Sequence, residues 1–111
     1  MAVPETETRS KGGKLIALTF DDGPGPYTRR LLEGLAKRGV KATFFMLGQQ
    51  AENYDVTAGL VRDAGHQIAS HTYDHPQLSK KTDSQVRWQI SHTADILNGI
   101  TGYGTHYLVR P

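Results

Sequence analysis

The chain has 111 residues, 37% hydrophobic and 22% charged, and a net charge of +2 from 13 basic and 11 acidic side chains, which allows one globular domain at most. Its basic residues are dispersed in pairs, Arg29-Arg30, Lys37-Arg38 and Lys80-Lys81, so the clustered footprint of a nucleic-acid binder is excluded. There is no cysteine, which excludes disulfides, thiolate zinc sites and cysteine nucleophiles.

No apolar run approaches the ~20 residues a membrane span requires, and Met1 to Glu5 lacks the basic and apolar regions of a signal peptide. Residues 1–12 read as a polar, flexible leader. Lys14 to Phe20 then reads as one buried strand, delivering Asp21 and Asp22 at its C-terminal end, and Gly23-Pro24-Gly25-Pro26 forces a loop. Apolar residues at 27, 31, 32, 35 and 36 predict a helix over 27–38, capped by Thr28 and stopped by Gly39. Val40 to Leu47 is β-branched and aromatic and predicts a second strand, ended by Gly48.

Glu52 to Ala64 predicts a helix with Tyr54, Leu60, Val61 and Ala64 inside, weakened by Gly59, since an interior glycine costs ~1 kcal/mol against alanine. His66 to Ser70 is a short third strand leading into His71-Thr72-Tyr73-Asp74-His75-Pro76. Asp83 to Ile100 is the longest helix, with Val86, Ile90, Ala94 and Leu97 on one stripe. His106 to Val109 predicts a fourth strand that reaches Arg110-Pro111. Alternating strands and helices imply parallel pairing with right-handed crossovers. Three of the four strands then end in chemically loaded residues on a shared rim: two acids, two histidines and an arginine.

Each group has an ordinary reading on its own. Asp-Asp-Gly-Pro occurs as a capped turn, spaced histidines occur on surfaces, and Arg110 can be an exposed strand terminus. In combination they suggest chemistry. His71 and His75, four residues apart, direct their imidazoles the same way. Two imidazoles and a carboxylate form a three-ligand set for Zn²⁺ or another first-row divalent ion, with a position open for water. Asp21 and Asp22 are adjacent in an extended chain and point in different directions, so one can ligate while the other serves as general base. Spacing alone does not decide which. A guanidinium beside a catalytic carboxylate fixes its orientation and favours its charged form, which suits Arg110. Thr72 can brace the histidine loop through its hydroxyl. Trp88 and Tyr73 are candidates for a carbohydrate-stacking surface, although Trp88 also fits plain helix packing.

Thr19 to Pro24, His71 to Pro76 and Arg110-Pro111 resemble the first three motifs of the polysaccharide deacetylases, the NodB-homology group of carbohydrate esterase family four. The resemblance covers residues 13–111. It implies an α/β fold, the N-terminal half of an irregular (β/α) barrel with about four parallel strands and three helices. It also implies an extracytoplasmic or secreted hydrolase that removes N- or O-acetyl groups from chitin, peptidoglycan or xylan. Asp21 becomes the catalytic base, Asp22, His71 and His75 become ligands of a divalent ion (zinc, with cobalt or another first-row ion as alternatives), and Arg110 holds Asp21. The family's later motifs, including a histidine that acts as general acid, are absent from these residues. A complementing chain or a swapped dimer is therefore expected beside the polysaccharide substrate. A non-catalytic metal- or glycan-binding fragment is the rival reading, and hydrolysis of a small amide or cyclic imide is a weaker one.

Overall fold

The computed structural model describes residues 7–9, 14–105 and 108–111. Its centre is a parallel sheet of three strands, β3 (Thr19–Asp21), β4 (Thr43–Met46) and β5 (Gln67–Ser70), in that spatial order. Phe20 lies opposite Phe44, and Phe44 opposite Ile68. Every residue of β4 and β5 is buried, as befits strands covered on both faces by crossover helices. Phe44, Met46, Val61, Ile68 and Leu97 belong to one continuous core.

The run 14–20 is not one strand. It breaks at Leu18 into β2 (Leu15–Ala17), antiparallel to β1 (Glu7–Arg9), and β3. Because β2, among the described residues, pairs only with β1, outside the parallel sheet, Leu15 and Ile16 are exposed rather than buried. The Glu7–Arg9 strand lies within the stretch read as a leader. The rest of residues 1–12 lies outside the described residues.

Helix α1 spans Thr28–Lys37, and Gly39, at φ +63°, ends it as expected. Thr28 does not cap it; its hydroxyl instead accepts the Gly25 N–H at 2.9 Å and closes the Gly/Pro turn. The helix expected over 52–64 is two helices, α2 (Gly48–Asn53) and α3 (Asp55–Asp63), separated at Tyr54, which leaves helical geometry at ψ +47°. The earlier start and the break shift the phase. Gly48, Ala51, Thr57, Ala58 and Val61 are the buried residues, and Leu60 is exposed.

Helix α4 (Asp83–Thr101) opens with a capping box, Thr82 and Gln85 satisfying each other's backbone, and ends at Gly102 with φ +76°. A 3₁₀ turn at Leu78–Lys80 precedes it. The fourth strand expected over 106–109 is reduced to one parallel bridge, Ser70 with Val109, and His106 and Tyr107 lie outside the described residues. Four strands and three helices thus become, among the described residues, three parallel strands, a two-stranded ribbon and four α-helices. No described helix is long and apolar enough to cross a membrane.

Candidate metal centre

Asp21 is the last residue of β3, paired in register with Phe45. The chain then turns through Asp22 in a left-handed conformation, φ +76°, a region aspartate tolerates better than most residues. The turn sends the two carboxylates apart. Asp21 faces Arg110, whose Nη1 lies 3.3 Å from both of its oxygens, and Asp22 faces His71, with Oδ1 3.0 Å from Nε2. The Arg110 guanidinium also sits over the Phe45 ring, 4.5 Å from its centroid.

His71 follows β5 directly and is buried, 4% of its side chain being accessible. Its backbone N–H donates to the Met46 carbonyl at 2.9 Å. Its Nδ1 lies 2.7 Å from the Arg110 carbonyl oxygen. A carbonyl only accepts, so Nδ1 carries a proton, and Nε2, aimed at Asp22, is the ring atom left to face a metal ion. The loop after His71 is not helical. Thr72 and His75 both have positive φ, +68° and +61°, which costs energy for non-glycine residues and gathers at functional sites. Those two reversals bring the His75 ring back to a 4.8 Å edge contact with His71. Asp22, His71 and His75 present ligand atoms that all lie within 4.8 Å of one another. Two imidazoles and one carboxylate, with His71 oriented by a carbonyl at Nδ1, fit a first-row divalent ion such as zinc.

Helix α2 fastens the two loops to each other. Leu47 N–H donates to the Gly23 carbonyl at 3.1 Å, and Gln50 Nε2 donates to the Pro24 carbonyl at 3.1 Å. Gly48 and Gln49 N–H donate to the Thr72 and Tyr73 carbonyls at 2.9 and 3.0 Å. Those amide groups lack partners inside any helix, and here the loops supply them. Gly48 is required at this approach, because a Cβ would come 2.8 Å from both Thr93 Oγ1 and Tyr73 Cδ1.

Thr72 braces the loop as expected, its hydroxyl donating to the His71 carbonyl. Gln89, outside the motifs, supports the same loop. From α4 its Oε1 accepts the Tyr73 N–H at 2.8 Å and its Nε2 donates to Asp74 Oδ1 at 2.9 Å. The signal was a glutamine and two threonines, Gln89, Thr93 and Thr101, among the buried residues of α4. Glu52 is a second addition; it accepts from the Tyr73 hydroxyl at 2.6 Å, and that hydrogen bond raises the phenol above its ordinary value. His66, just ahead of β5, is buried, and its Nδ1 accepts the Ala42 N–H at 3.0 Å.

Comparison with known proteins gives a consistent picture. The family described as polysaccharide deacetylase matches residues 8–111. A peptidoglycan-N-acetylglucosamine deacetylase of Bacillus cereus is 42% identical over 97 residues, which is 86% of this chain and 35% of that protein. A chitin deacetylase of a Pestalotiopsis species is 44% identical over 99 residues, 86% of this chain and 33% of that one. Among solved structures, a family 4 carbohydrate esterase from Streptomyces lividans in complex with acetate superposes with a TM-score of 0.81 at 38% identity, over 86% of this chain and 50% of its own. The chain thus spans about a third of these two curated relatives and carries the N-terminal portion of the α/β fold they share. These relatives give no support to a complementing chain or a swapped dimer.

Proposed function

This chain belongs to the polysaccharide deacetylase family, and on that premise we propose that it provides the metal-binding and base-bearing part of a metal-dependent hydrolase. The substrate class is N-acetylated polysaccharide of the peptidoglycan or chitin type, with O-acetylated glycans such as xylan as the related alternative. Such substrates place the protein outside the cytoplasmic membrane. The observation that carries the reading is the division between neighbours: Asp22 turns to His71 while Asp21 is held by Arg110.

Asp22, His71 and His75 would hold the ion, zinc being the best match to their chemistry, with cobalt or another first-row ion as alternatives. When bound, a divalent ion polarises a carbonyl oxygen and lowers the pKa of water to about 7. Asp21, close to that set yet engaged with Arg110, accepts the proton of the attacking water at a carboxylate oxygen. Arg110 keeps that carboxylate aimed, and its own carbonyl keeps the proton of His71 on Nδ1. The proton for the departing amine comes from a group other than these five residues.

Acetate release from tetra-N-acetylchitotetraose, measured with zinc, after chelation and after zinc is restored, tests the reading. Release that stops with chelator and returns with zinc is expected. Metal uptake with no acetate release, from this substrate or from peptidoglycan, would make the chain a binding fragment instead. Release indifferent to chelation would rule out the metal assignment.

A further inference from the structure

Trp88 is half-exposed on α4, 47% accessible. Its ring stacks on His92, one turn further along the helix, at 4.6 Å between centroids and 19° between planes. The Tyr73 ring meets it edge-on at 5.0 Å. One indole face is therefore covered by His92, and the edge is fixed by the loop that carries His71 and His75. On the side towards the start of α4 lies a hollow of about 190 Å³, walled by Trp88, Gln85, Gln89 and Lys81. Burying Trp88 is not what this arrangement achieves. It holds a rigid aromatic face open beside the 71–76 loop.

The polar groups of the hollow are unequal. Gln89 is spent on Tyr73 and Asp74. The Oε1 of Gln85 accepts the Thr82 N–H in the capping box at 2.9 Å, which leaves its amide nitrogen as a donor. Lys81 adds an ammonium group. An apolar aromatic face with a few donors beside it suits a pyranose ring, whose axial C–H groups lie flat on the indole while hydroxyl and acetamido oxygens accept from the rim.

We propose that Trp88, Gln85 and Lys81 form a subsite for one sugar ring of an N-acetylated polysaccharide, flanking the 71–76 loop. The identity of the sugar rests on the deacetylase reading; the subsite itself does not require an ion or turnover. Trp88 is the only tryptophan in the sequence, so its fluorescence reports the site directly.

The experiment is titration of the protein with tetra-N-acetylchitotetraose in the presence of chelator, following tryptophan emission, with calorimetry in parallel. A saturable emission change is expected, with Trp88→Ala weakening the calorimetric affinity about tenfold or more and Glu33→Ala, on the exposed face of α1, leaving it unchanged. The inference is overturned by calorimetric binding without any change in emission, by Trp88→Ala binding as tightly as the parent, or by no binding at millimolar oligosaccharide. If Trp88→Ala fails to fold, the emission of the parent protein decides alone. Failure of the deacetylase reading looks different: the emission still saturates, but no acetate appears when zinc is supplied.

Discussion

Arg110 and His71 are joined main chain to side chain, the Arg110 carbonyl oxygen lying 2.7 Å from His71 Nδ1. The same arginine's guanidinium reaches Asp21, a residue 89 positions earlier. One residue thereby orients a candidate ligand with its backbone and a candidate base with its side chain, and these two tasks can be separated by mutation.

Arg110→Met keeps the carbonyl and removes the guanidinium. Zinc affinity should stay near the parent value while kcat for acetate release falls about 10–100-fold. Stability should change by no more than ~1 kcal/mol, since the ion pair is partly exposed. Calorimetric zinc titration beside a steady-state assay checks the split. A parallel loss of zinc affinity would mean that the side chain, not the carbonyl, positions His71.

The neighbouring acids should separate in the same way. Asp21→Asn is expected to bind zinc normally and to lose about 10²–10⁴-fold in kcat, the usual contribution of a general base. Asp22→Asn should lose zinc itself. If the two variants exchange these phenotypes, the roles of the acids are reversed.

Gly48→Ala should act at a distance. The added methyl meets Thr93 Oγ1 and Tyr73 Cδ1 at 2.8 Å, and such overpacking costs about 1–3 kcal/mol. Because Gly48 N–H also holds the Thr72 carbonyl, zinc affinity should fall with stability. Denaturant unfolding with and without zinc measures both; unaltered affinity in a destabilised variant would show that the loop does not depend on this packing.

His66 gives a pH prediction. Burial, with a smaller contribution from Lys41, lowers its pKa below the ordinary 6.5. Between that lowered value and 6.5 the unfolded chain binds the extra proton, so stability rises with pH across that window. The contribution is fully present above about 6.5 and is lost as pH falls towards the lowered value. His66→Leu should flatten this part of the stability profile. It should also cost about 1–3 kcal/mol at neutral pH, because the buried Ala42 N–H is left without its acceptor. Unfolding midpoints taken from pH 7 to pH 5 test the slope.

Much of the α/β order was legible because apolar runs stop where the chemistry changes: at Asp21, at Gly48, at His71. Element breaks were not. Leu18 and Tyr54 look like interior residues of continuous segments, and only the choice between two pairing partners, or two helix phases, made in three dimensions divides them. The same holds for the site. Residue types and spacing point to His71, His75 and one of two neighbouring acids, the resemblance to the deacetylases singles out Asp22, and the structure brings the three together. The partners of those residues are mostly backbone groups, such as the Met46 and Arg110 carbonyls, and backbone atoms carry no letter in the sequence. Gln89 did carry one, as a polar residue on an inward-facing stripe.

The stitching of both loops to the first turn of α2 has a thermodynamic consequence. Gly23, Pro24, Thr72 and Tyr73 each give a carbonyl to one short segment, Leu47 to Gln50, so the conformational entropy of the two loops is surrendered during folding. A cation arriving between Asp22 and His71 has little ordering left to impose, and preorganisation of this kind converts into affinity. Uptake should therefore leave the backbone almost undisturbed, with its effect appearing as a higher melting temperature rather than as a change of shape.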